Sequence, residues 1–456
     1  MRSRWAGTAI GLVALIGLGS ATILGEVPTL KLSTIAQAQT LDPEPGSDQE
    51  AITDSPNMTS PRPSVPARRG FTLRFGRPIS EVAAEIVASR PPREPARLVP
   101  TAATAPRATT TQPEPPREFT LAATGDFLIH GPVARRAYVY GQERDRHDFS
   151  PMLEAVKPYL SEADLAICHL ETPLSRDNRA LSYYPRFSVP YQLAGAIAEA
   201  GYDTCSTASN HSLDKGTDGI VDTLDHLNRV GLDHVGTARS RGERRRPVTY
   251  DLNGITVGHL SYSYGFNGLA LPANRTWMAN RIDVPTILAD ARRARAEGAE
   301  FVILSLHWGL EYRTMPTADQ TRTAAELLAS GHIDLILGHH AHTVQPIDRV
   351  GAKAVVYGMG NFLSNQTPRC CAPGSQDGVI VQVRVREQQT GTIEVTQVDY
   401  VPTFVERPSY RIIPVDDALA DPSLTIVSPA ELRRSRQRTA DALTSLGYTD
   451  LPARPN

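Results

Sequence analysis

The sequence predicts an α/β protein in which two sheets pack together. Short apolar runs with strand character alternate, along residues 119–404, with segments whose apolar residues recur at helical spacing. Several runs end on an acidic, amide or imidazole residue, as strands of a parallel sheet do where they meet a ligand. The last runs alternate apolar and polar residues, so we expect some antiparallel strands late in the chain.

Composition is that of an ordinary soluble globular protein. The chain has 456 residues, of which 41% are hydrophobic and 21% are charged, and it is long enough for one large domain with additional segments. The formal net charge of -2 provides no general attraction to nucleic acid, so we expect no nucleic-acid partner.

The N-terminal segment has the pattern of an export signal. Arg2 and Arg4 precede an apolar run over residues 6–24, and Ala36 and Ala38 form a small-x-small cleavage pattern. We predict that residues 1–38 are a signal peptide, or a membrane anchor, because the apolar run approaches the length that spans a bilayer. In both cases we expect the rest of the protein outside the cytoplasm, either secreted or anchored to the membrane.

Residues 39–117 are predicted to be a proline-rich disordered linker. This stretch holds 15 of the 36 prolines, two phenylalanines and no tryptophan or tyrosine, so it cannot bury enough apolar surface to offset the entropy lost on ordering. One short helix over residues 79–87 is the alternative for part of it. We place the main domain at residues 118–415 and a helical tail at 416–456.

Local signals set the boundaries of individual elements. Gly231 ends one helix, the Asn253-Gly254 pair marks a hairpin turn, and Thr317 with Gln320 forms a capping box. The predicted strands cover residues 119–126, 164–170, 202–206, 248–252, 255–262, 301–307, 335–337, 354–357, 379–385 and 393–400. The predicted helices cover residues 194–200, 220–230, 284–297, 317–330 and 429–446, the last either packed on the domain or trailing from it.

Polar side chains at the ends of the predicted strands point to metal chemistry. They are Asp126, Glu171, Asn210, His307 and the histidines of residues 339–342. Neutral imidazole is the commonest metal ligand in proteins, and oxygen and nitrogen donors without thiolate favour Mn, Zn, Fe or Mg. We therefore expect one or two divalent ions, which activate water and stabilise an oxyanion when a pair shares a carboxylate.

Six blocks in a fixed order carry a resemblance to a known family. They are residues 125–126, 170–174, 209–216, 307–312, 338–342 and 360–362. Together they resemble the bacterial capsule synthesis protein family, the CapA type of poly-γ-glutamate synthesis protein, which is a branch of the calcineurin-like metallophosphatases. The resemblance covers residues 119–404 and implies a four-layered αββα sandwich with mixed sheets.

The resemblance also implies roles for individual residues. The implied metal ligands are Asp126, Glu171, Asn210, His307, His340 and His342. His211 would be the catalytic proton donor to the leaving group, because the pKa of a histidine lies near the working pH. We assign substrate contacts to His339, Trp308, Glu311 and Asn361, with a packing role as the alternative for Trp308.

The chain departs from the superfamily pattern at one metal ligand. Leu128 stands where superfamily phosphoesterases have a histidine two residues after the first aspartate. His130 or His169 would compensate, unless each is a loop or packing residue. We expect the site of Asn210 and His307 to bind metal more tightly than the site of Asp126.

The resemblance implies a role in the synthesis or processing of an anionic capsule or cell-wall polymer, poly-γ-glutamate in type. One hypothesis is a metal-dependent hydrolase that cleaves a phosphoester or an amide of the polymer. The alternative is a non-catalytic subunit that binds the polymer beside a membrane-bound polyglutamate synthase. The N-terminal segment, if uncleaved, would attach either protein to the membrane.

The cysteines and a basic run complete the sequence-based expectations. We expect Cys168 and Cys205 to be core thiols, since free cysteine behaves as a small apolar residue, with a disulfide between them as the alternative. Cys370 and Cys371 are candidates for a disulfide in an exported protein, with connectivity left open. The basic run at residues 239–246 is either a solvated loop or a contact for an anionic polymer.

Overall fold

The computed structural model describes residues 115–448. The predicted export segment, the short helix at residues 79–87 and all but the last three residues of the predicted linker lie outside the described residues. Within the part of the chain that is described, no helix is both long and apolar enough to cross a bilayer.

Two mixed sheets form the centre of the fold. The first contains β1 (Glu118–Phe127), β2 (Leu165–Leu170), β3 (Thr204–Ser206), β4 (Asp233–Val235), β11 (Asn361–Leu363), β12 (Asp377–Glu387), β13 (Ile393–Val405) and β14 (Ile412–Pro414). The second contains β5 (Val248–Leu252), β6 (Ile255–Ser263), β7 (Phe301–His307), β8 (Leu335–His339), β9 (Ile347–Val350) and β10 (Lys353–Val356). Their strand orders are β14-β13-β12-β1-β2-β3-β4, with β11 beside β1, and β5-β6-β7-β8-β10-β9.

The strands are mostly parallel in the first part of the domain and antiparallel in the last part, as expected from the sequence. Strands β1 to β4 are mutually parallel, as are β6, β7 and β8. The late strands β12, β13 and β14 are antiparallel. The prediction of an α/β fold with antiparallel strands late in the chain is confirmed.

Helices cover the outer face of each sheet. They are α1 (Gly131–Gly141), α2 (Ser150–Leu153), α3 (Lys157–Ser161), α4 (Gln192–Glu199), α5 (Gly216–Arg229), α6 (Arg241–Arg245), α7 (Val284–Ala296), α8 (Ala318–Ala329), α9 (Val415–Ala420) and α10 (Pro429–Thr444). Helices α1 to α5 pack on the first sheet, and α7 and α8 pack on the second. A third apolar cluster fills the space between the sheets, where the rings of Phe119 and Phe301 meet at 5.7 Å. The fold is the expected four-layered αββα sandwich.

The cysteine prediction is wrong for Cys168 and Cys205, which form a disulfide. The two residues are direct partners in the register of parallel strands β2 and β3, and their Cα atoms lie 4.5 Å apart. That distance is within the range that a disulfide requires. Apolar surroundings are the same for a core thiol and a buried disulfide, so sequence context did not separate the two. Cys370 is paired with its neighbour Cys371.

Removing the buried disulfide is expected to lower stability. The bridge joins residues 37 positions apart, so a Cys168→Ala/Cys205→Ala variant should lose about 2–4 kcal/mol of unfolding free energy. Chemical denaturation under oxidising conditions measures this loss. Cys370→Ala/Cys371→Ala is the matched control and should change stability little, because its bridge closes no loop. Alkylation of Cys168 and Cys205 in the unreduced, unfolded protein would contradict the assignment.

The C-terminal helix packs on the body of the domain. Leu432 and Leu443 of α10 are fully buried, which decides between the two alternatives left open by the sequence. The buried carboxylate of Asp377 on β12 accepts hydrogen bonds from Ser435 Oγ at 2.7 Å and Arg438 Nε at 2.8 Å. Helix α10 is therefore held to the strand that lies next to β1.

Glu406 makes stability depend on pH. Burial would raise its pKa, but hydrogen bonds from Arg411, Ser409, Thr425 and the Ile426 amide lower the pKa to about 2. A depressed carboxyl pKa stabilises the fold above the unfolded-state value near 4.5, and that stability is lost as the pH falls towards 2. Because Arg411 is partly exposed, we expect about 1–2 kcal/mol of stabilisation at neutral pH.

The measurement is the difference in unfolding free energy between the wild type and Glu406→Gln across this pH range. The difference should shrink as the pH falls from 5 to about 2. Glu394→Gln, at a half-buried position of β13, is the control. A difference that stays constant with pH would show that Glu406 does not act through its charge.

Candidate metal centre

Strand register brings the predicted polar residues to one pole of the fold. Asp126 at the end of β1 is level with His169 on β2 and with Asn361 on β11. His307 at the end of β7 is level with His339 on β8. Both sheets therefore present the carboxyl ends of parallel strands to the same space.

Glycines allow the backbone to pack closely beneath this pole. A Cβ on Gly338 would lie 1.9 Å from the Tyr357 carbonyl oxygen, and a Cβ on Gly125 would lie 2.1 Å from that of Gly360. Two histidines in the loop after β8, His340 and His342, have positive φ angles of 88° and 53°. Such conformations are costly for residues with a Cβ and cluster at functional sites.

Asp126 lies at the centre of the histidine cluster and is fully buried. Its Oδ1 lies 3.2 Å from His339 Nδ1, and its Oδ2 lies 3.1 Å from His342 Nδ1. The backbone amide of His340 also donates to Oδ2, at 3.2 Å. Burial would raise the pKa of Asp126, but the contacts with His339 and His342 hold it well below its usual value.

Glu171 is buried with both carboxylate oxygens lacking a hydrogen-bond partner among the described residues. Its Oε1 lies 3.7 Å from His342 Nε2 and 4.0 Å from His307 Nε2. Burial raises the pKa of Glu171 well above its usual value. An unpaired buried carboxylate is costly, and a divalent cation between these atoms would remove that cost.

A chain of hydrogen bonds orients His307. Its Nδ1 lies 2.9 Å from His169 Nε2, and the Nδ1 of His169 lies 2.7 Å from Ser206 Oγ. The other nitrogen of His307, Nε2, lies 3.0 Å from Asn210 Oδ1. Burial keeps the pKa values of His307 and His169 well below 6.5, so both imidazoles are neutral, the form that binds metals.

His340 and Glu311 lie on the solvent side of the cluster. The ring of His340 lies 4.7 Å from that of His307 and 4.6 Å from that of Tyr264, and its Nδ1 is buried without a partner among the described residues. Ligand atoms of Glu311, His340 and His342 lie within 4.8 Å of one another. Burial and the charge of His342 lower the pKa of His340 to about 3, which leaves a lone pair for a metal.

His342 shows how strongly this space attracts positive charge. Burial would lower its pKa, but the charges of Glu171 and Asp126 outweigh burial and raise the pKa to about 10. The carboxylates that hold a proton on His342 would equally hold a divalent cation. Asn361 Oδ1 lies 3.1 Å from His342 Nδ1, and the other ring nitrogen, Nε2, lies 3.7 Å from Glu171 Oε1.

Two further groups of side chains have the composition of a metal site. Atoms of Asp126, His169 and His339 lie within 4.8 Å of one another, as do atoms of Asp126, Glu171 and His342. Both groups are buried and offer oxygen and nitrogen donors without thiolate, a set that suits Mn, Zn, Fe or Mg. With Glu171 unpaired and His339 Nε2 also without a partner in the described chain, the residues fit a divalent metal centre.

His211 lies beside the cluster and forms a pair with Asp214. Its Nδ1 lies 2.7 Å from Asp214 Oδ2, and the same oxygen accepts a bond from the Phe187 amide at 2.7 Å. The carboxylate can only accept, so Nδ1 of His211 carries the hydrogen. Nε2 is therefore the atom of His211 that can exchange a proton with a substrate.

The structure separates the two histidines proposed to replace the missing ligand, and it places a third histidine close to Asp126. His169, one of two candidates to replace the histidine missing at Leu128, contacts the centre, whereas His130 packs against Phe187 and its Nδ1 lies 3.1 Å from the Leu128 carbonyl oxygen. His339 Nδ1 lies 3.2 Å from Asp126 Oδ1, which adds His339 to the candidate metal ligands.

Trp308 does not reach the centre, contrary to the substrate-binding assignment. It is buried in the apolar cluster beneath α7 and α8, and its Nε1 donates to the Tyr357 carbonyl oxygen at 3.0 Å. Neighbouring residues of an extended chain point to opposite faces. His307 faces the centre, so alternation places Trp308 on the other side.

The contacts of Asn361 differ from the substrate contact that the sequence predicts for it. Asn361 is buried and its Nδ2 donates to Gln366 Oε1 and to the Ser375 carbonyl oxygen, both at 2.9 Å. It orients His342 and is not open to a substrate.

Tyr264 was not predicted, although it directly follows β6. Considering the residue after every strand would have identified it.

Two mixed sheets between helical layers, with a carboxylate–imidazole centre where parallel strands end, define a metallophosphatase-like α/β protein. Residues 120–366, more than half of the chain, match the family described as Bacterial capsule synthesis protein PGA_cap. The chain belongs to this family. The family predicted from the sequence is confirmed.

Curated relatives carry related descriptions. The chain is 24% identical over 251 residues to "PGA biosynthesis protein CapA" of Bacillus subtilis, covering 54% of this chain and 64% of the relative. It is 25% identical to "Capsule biosynthesis protein CapA" of Bacillus anthracis, covering 66% and 71%. It is 26% identical to "Probable polyglutamine synthesis accessory protein" of Mycobacterium tuberculosis, covering 44% and 56%. Two of these matches thus span less than two thirds of the relative.

Among solved structures, the chain is similar to a calcineurin-like phosphoesterase from Bacillus subtilis. That match has 14% identity and a TM-score of 0.37, and it covers 71% of this chain and 97% of the other. A phosphatase from Mycoplasma pneumoniae matches with 12% identity and a TM-score of 0.38, covering 64% and 96%.

Proposed function

We propose that this chain is a metal-dependent hydrolase that acts in the synthesis or processing of an anionic polymer of the poly-γ-glutamate type. The observation that carries the proposal is the buried centre in which both oxygens of Glu171 lack a hydrogen-bond partner among the described residues, together with the His211–Asp214 pair. Family membership and the descriptions of the relatives support the polymer. The bond that the protein would cleave is a phosphoester or an amide of the polymer.

The centre divides into residues that would hold metal and residues that would handle protons. Asp126, Glu171 and the imidazoles of His169, His307, His339, His340 and His342, with Asn210, are the candidate ligands. A divalent metal, when bound there, lowers the pKa of water and stabilises developing negative charge. Asp126 and Glu171 supply the negative charge that balances it, and Asn361 and Ser206 orient imidazoles through hydrogen bonds.

His211 would protonate the leaving group. Asp214 accepts the Nδ1 hydrogen and fixes the ring, so that Nε2 carries the proton that is transferred. Glu311 and Tyr264 lie at the solvent side of the centre, and both are exposed. They are the side chains that an incoming polymer would meet first.

The experiment that tests this function uses the full-length protein. Metal content is measured by elemental analysis, and turnover of a generic phosphodiester and of a γ-glutamyl amide is followed with and without added Mn, Zn, Fe or Mg. Metal-dependent turnover of either compound would support a hydrolase and identify the class of bond. Metal binding with no turnover would instead favour a non-catalytic subunit that binds polymer beside a membrane-bound synthase.

We also propose that the protein works outside the cytoplasm, either secreted or held by its N-terminal segment. The basic and apolar N-terminal pattern supports export, and the Cys168–Cys205 disulfide supports an oxidising compartment. Protease added to intact cells that express the chain should degrade it. Full protection from the protease in intact cells, with degradation after lysis, would place the protein inside.

A further inference from the structure

A cavity of about 520 Å³ lies apart from the candidate metal centre. It opens where β4, an edge strand of the first sheet, approaches β5 and β6 at one edge of the second. Helix α6 and the residues on either side of it, which together form the basic run of residues 239–246, make one wall. None of the candidate metal ligands lines this cavity. Its volume is that of a small-molecule site.

Four residues that line the cavity have a buried polar atom without a partner among the described residues. The atoms are His234 Nδ1, His259 Nδ1, Ser261 Oγ and Asn280 Oδ1. His259 and Ser261 are each 99% buried, with 1% exposure. Buried polar atoms in native proteins are nearly always hydrogen-bonded, so four of them in the residues around one cavity support an occupant that offers hydrogen-bonding groups.

Asp290 and Glu243 hold three arginines of the cavity wall in place. Asp290 accepts from Arg244 at 2.6 Å and from Arg293 at 2.7 Å. Glu243 accepts from Arg239. These pairs fix guanidinium groups before any ligand binds, which lowers the entropic cost of binding.

Two further arginines of the wall, Arg245 and Arg246, have no side-chain partner among the described residues. The lining contains five arginines and three acidic residues, so its net charge is +2. A guanidinium matches the paired oxygens of a carboxylate or phosphate. The rim of the cavity therefore favours an oxyanion, whereas the interior favours neutral hydrogen-bonding groups.

We propose that this cavity is a second ligand site, which binds a small molecule carrying an oxyanion at the rim and amide or hydroxyl groups inside. Arg245 and Arg246 bind the oxyanion, and Ser261, His259 and Asn280 bind the inner groups. Asn280 Oδ1 can only accept, so the ligand offers a donor at that point. The proposal does not depend on the hydrolase function, because the two sites share no residue.

A glutamyl peptide and a polyol phosphate share this chemistry, and titration calorimetry distinguishes them. γ-Glutamylglutamate and glycerol 3-phosphate are each titrated into full-length protein treated with a metal chelator. Saturable binding of one of them is expected to weaken by about 10-fold or more in Arg245→Ala/Arg246→Ala. Arg292→Ala/Arg433→Ala removes two exposed arginines outside the lining and should leave the affinity unchanged.

Ser261→Ala separates ligand binding from a structural role. The wild-type hydroxyl has no partner in the described chain, so its removal should leave thermal stability unchanged or slightly raised, while ligand affinity falls by about 5-fold or more. Absence of saturable binding by both compounds would overturn the proposal. So would binding that the arginine and serine variants leave intact.

Discussion

Replacing His211 with alanine is expected to lower turnover by about 10²–10⁴-fold while bound metal stays at the wild-type level. The side chain contacts Asp214 and Phe187 and belongs to none of the metal-capable groups found in the described residues. Its loss removes proton donation to the leaving group and leaves every candidate metal ligand in place. Steady-state kinetics and elemental analysis of the same sample provide both measurements.

Asp214→Asn tests the pairing that underlies this expectation. The neutral amide can present its nitrogen to His211 Nδ1, which disfavours the tautomer with hydrogen on Nδ1 that the carboxylate selects. Turnover should therefore fall by at least about 10-fold, but by less than in His211→Ala. His332→Ala is the control, because this half-buried histidine precedes β8 and so lies at the opposite end of that strand from His339. Unchanged turnover in His211→Ala would remove this residue from proton transfer.

Replacing Asp126 with asparagine is expected to weaken metal binding by about 100-fold or more. Even residues that only orient ligands contribute 10–100-fold to metal affinity, and Asp126 lies within reach of His339, His342 and the His340 amide. The substitution keeps the size of the side chain and removes one of the two buried negative charges. Competition titration with a chromogenic chelator measures the affinity.

Thermal unfolding gives a second measurement that needs no substrate. A metal that binds only the folded state raises the melting temperature of the wild type, and Asp126→Asn should abolish most of that rise. Asp441→Asn on the exposed face of α10 is the matched control and should respond as the wild type does. Equal metal affinity in Asp126→Asn and the wild type would show that the ions bind elsewhere.

Much of the fold was predictable because its central strands are buried on both faces. Strands β2, β7 and β8 read as continuous apolar runs, and α8 begins at the expected capping box. The helices α1, α2 and α3 between β1 and β2 were not predicted. Two of these have only four and five residues, too few turns to show a helical period.

The candidate centre was predictable to the extent that strand ends gather at one edge of a sheet. Asp126, Glu171, Asn210, His307 and the histidines after β8 were all found by that rule, which follows from parallel strand direction alone. The same rule treats every side chain at a strand end alike. It therefore did not separate His169, which contacts His307, from His130, which packs on Phe187.

The sequence by itself determined most of the secondary structure, the two-sheet architecture and the type of chemistry at the strand ends. These depend on periodicity and on residue type, which are local properties of the chain. The tertiary structure decided that Cys168 pairs with Cys205 and that Trp308 faces away from the centre. It also decided that polar atoms and arginines without partners in the described part of the chain belong to residues around one separate cavity. Each of these depends on strand register and on distances between residues far apart in sequence, which no local pattern encodes.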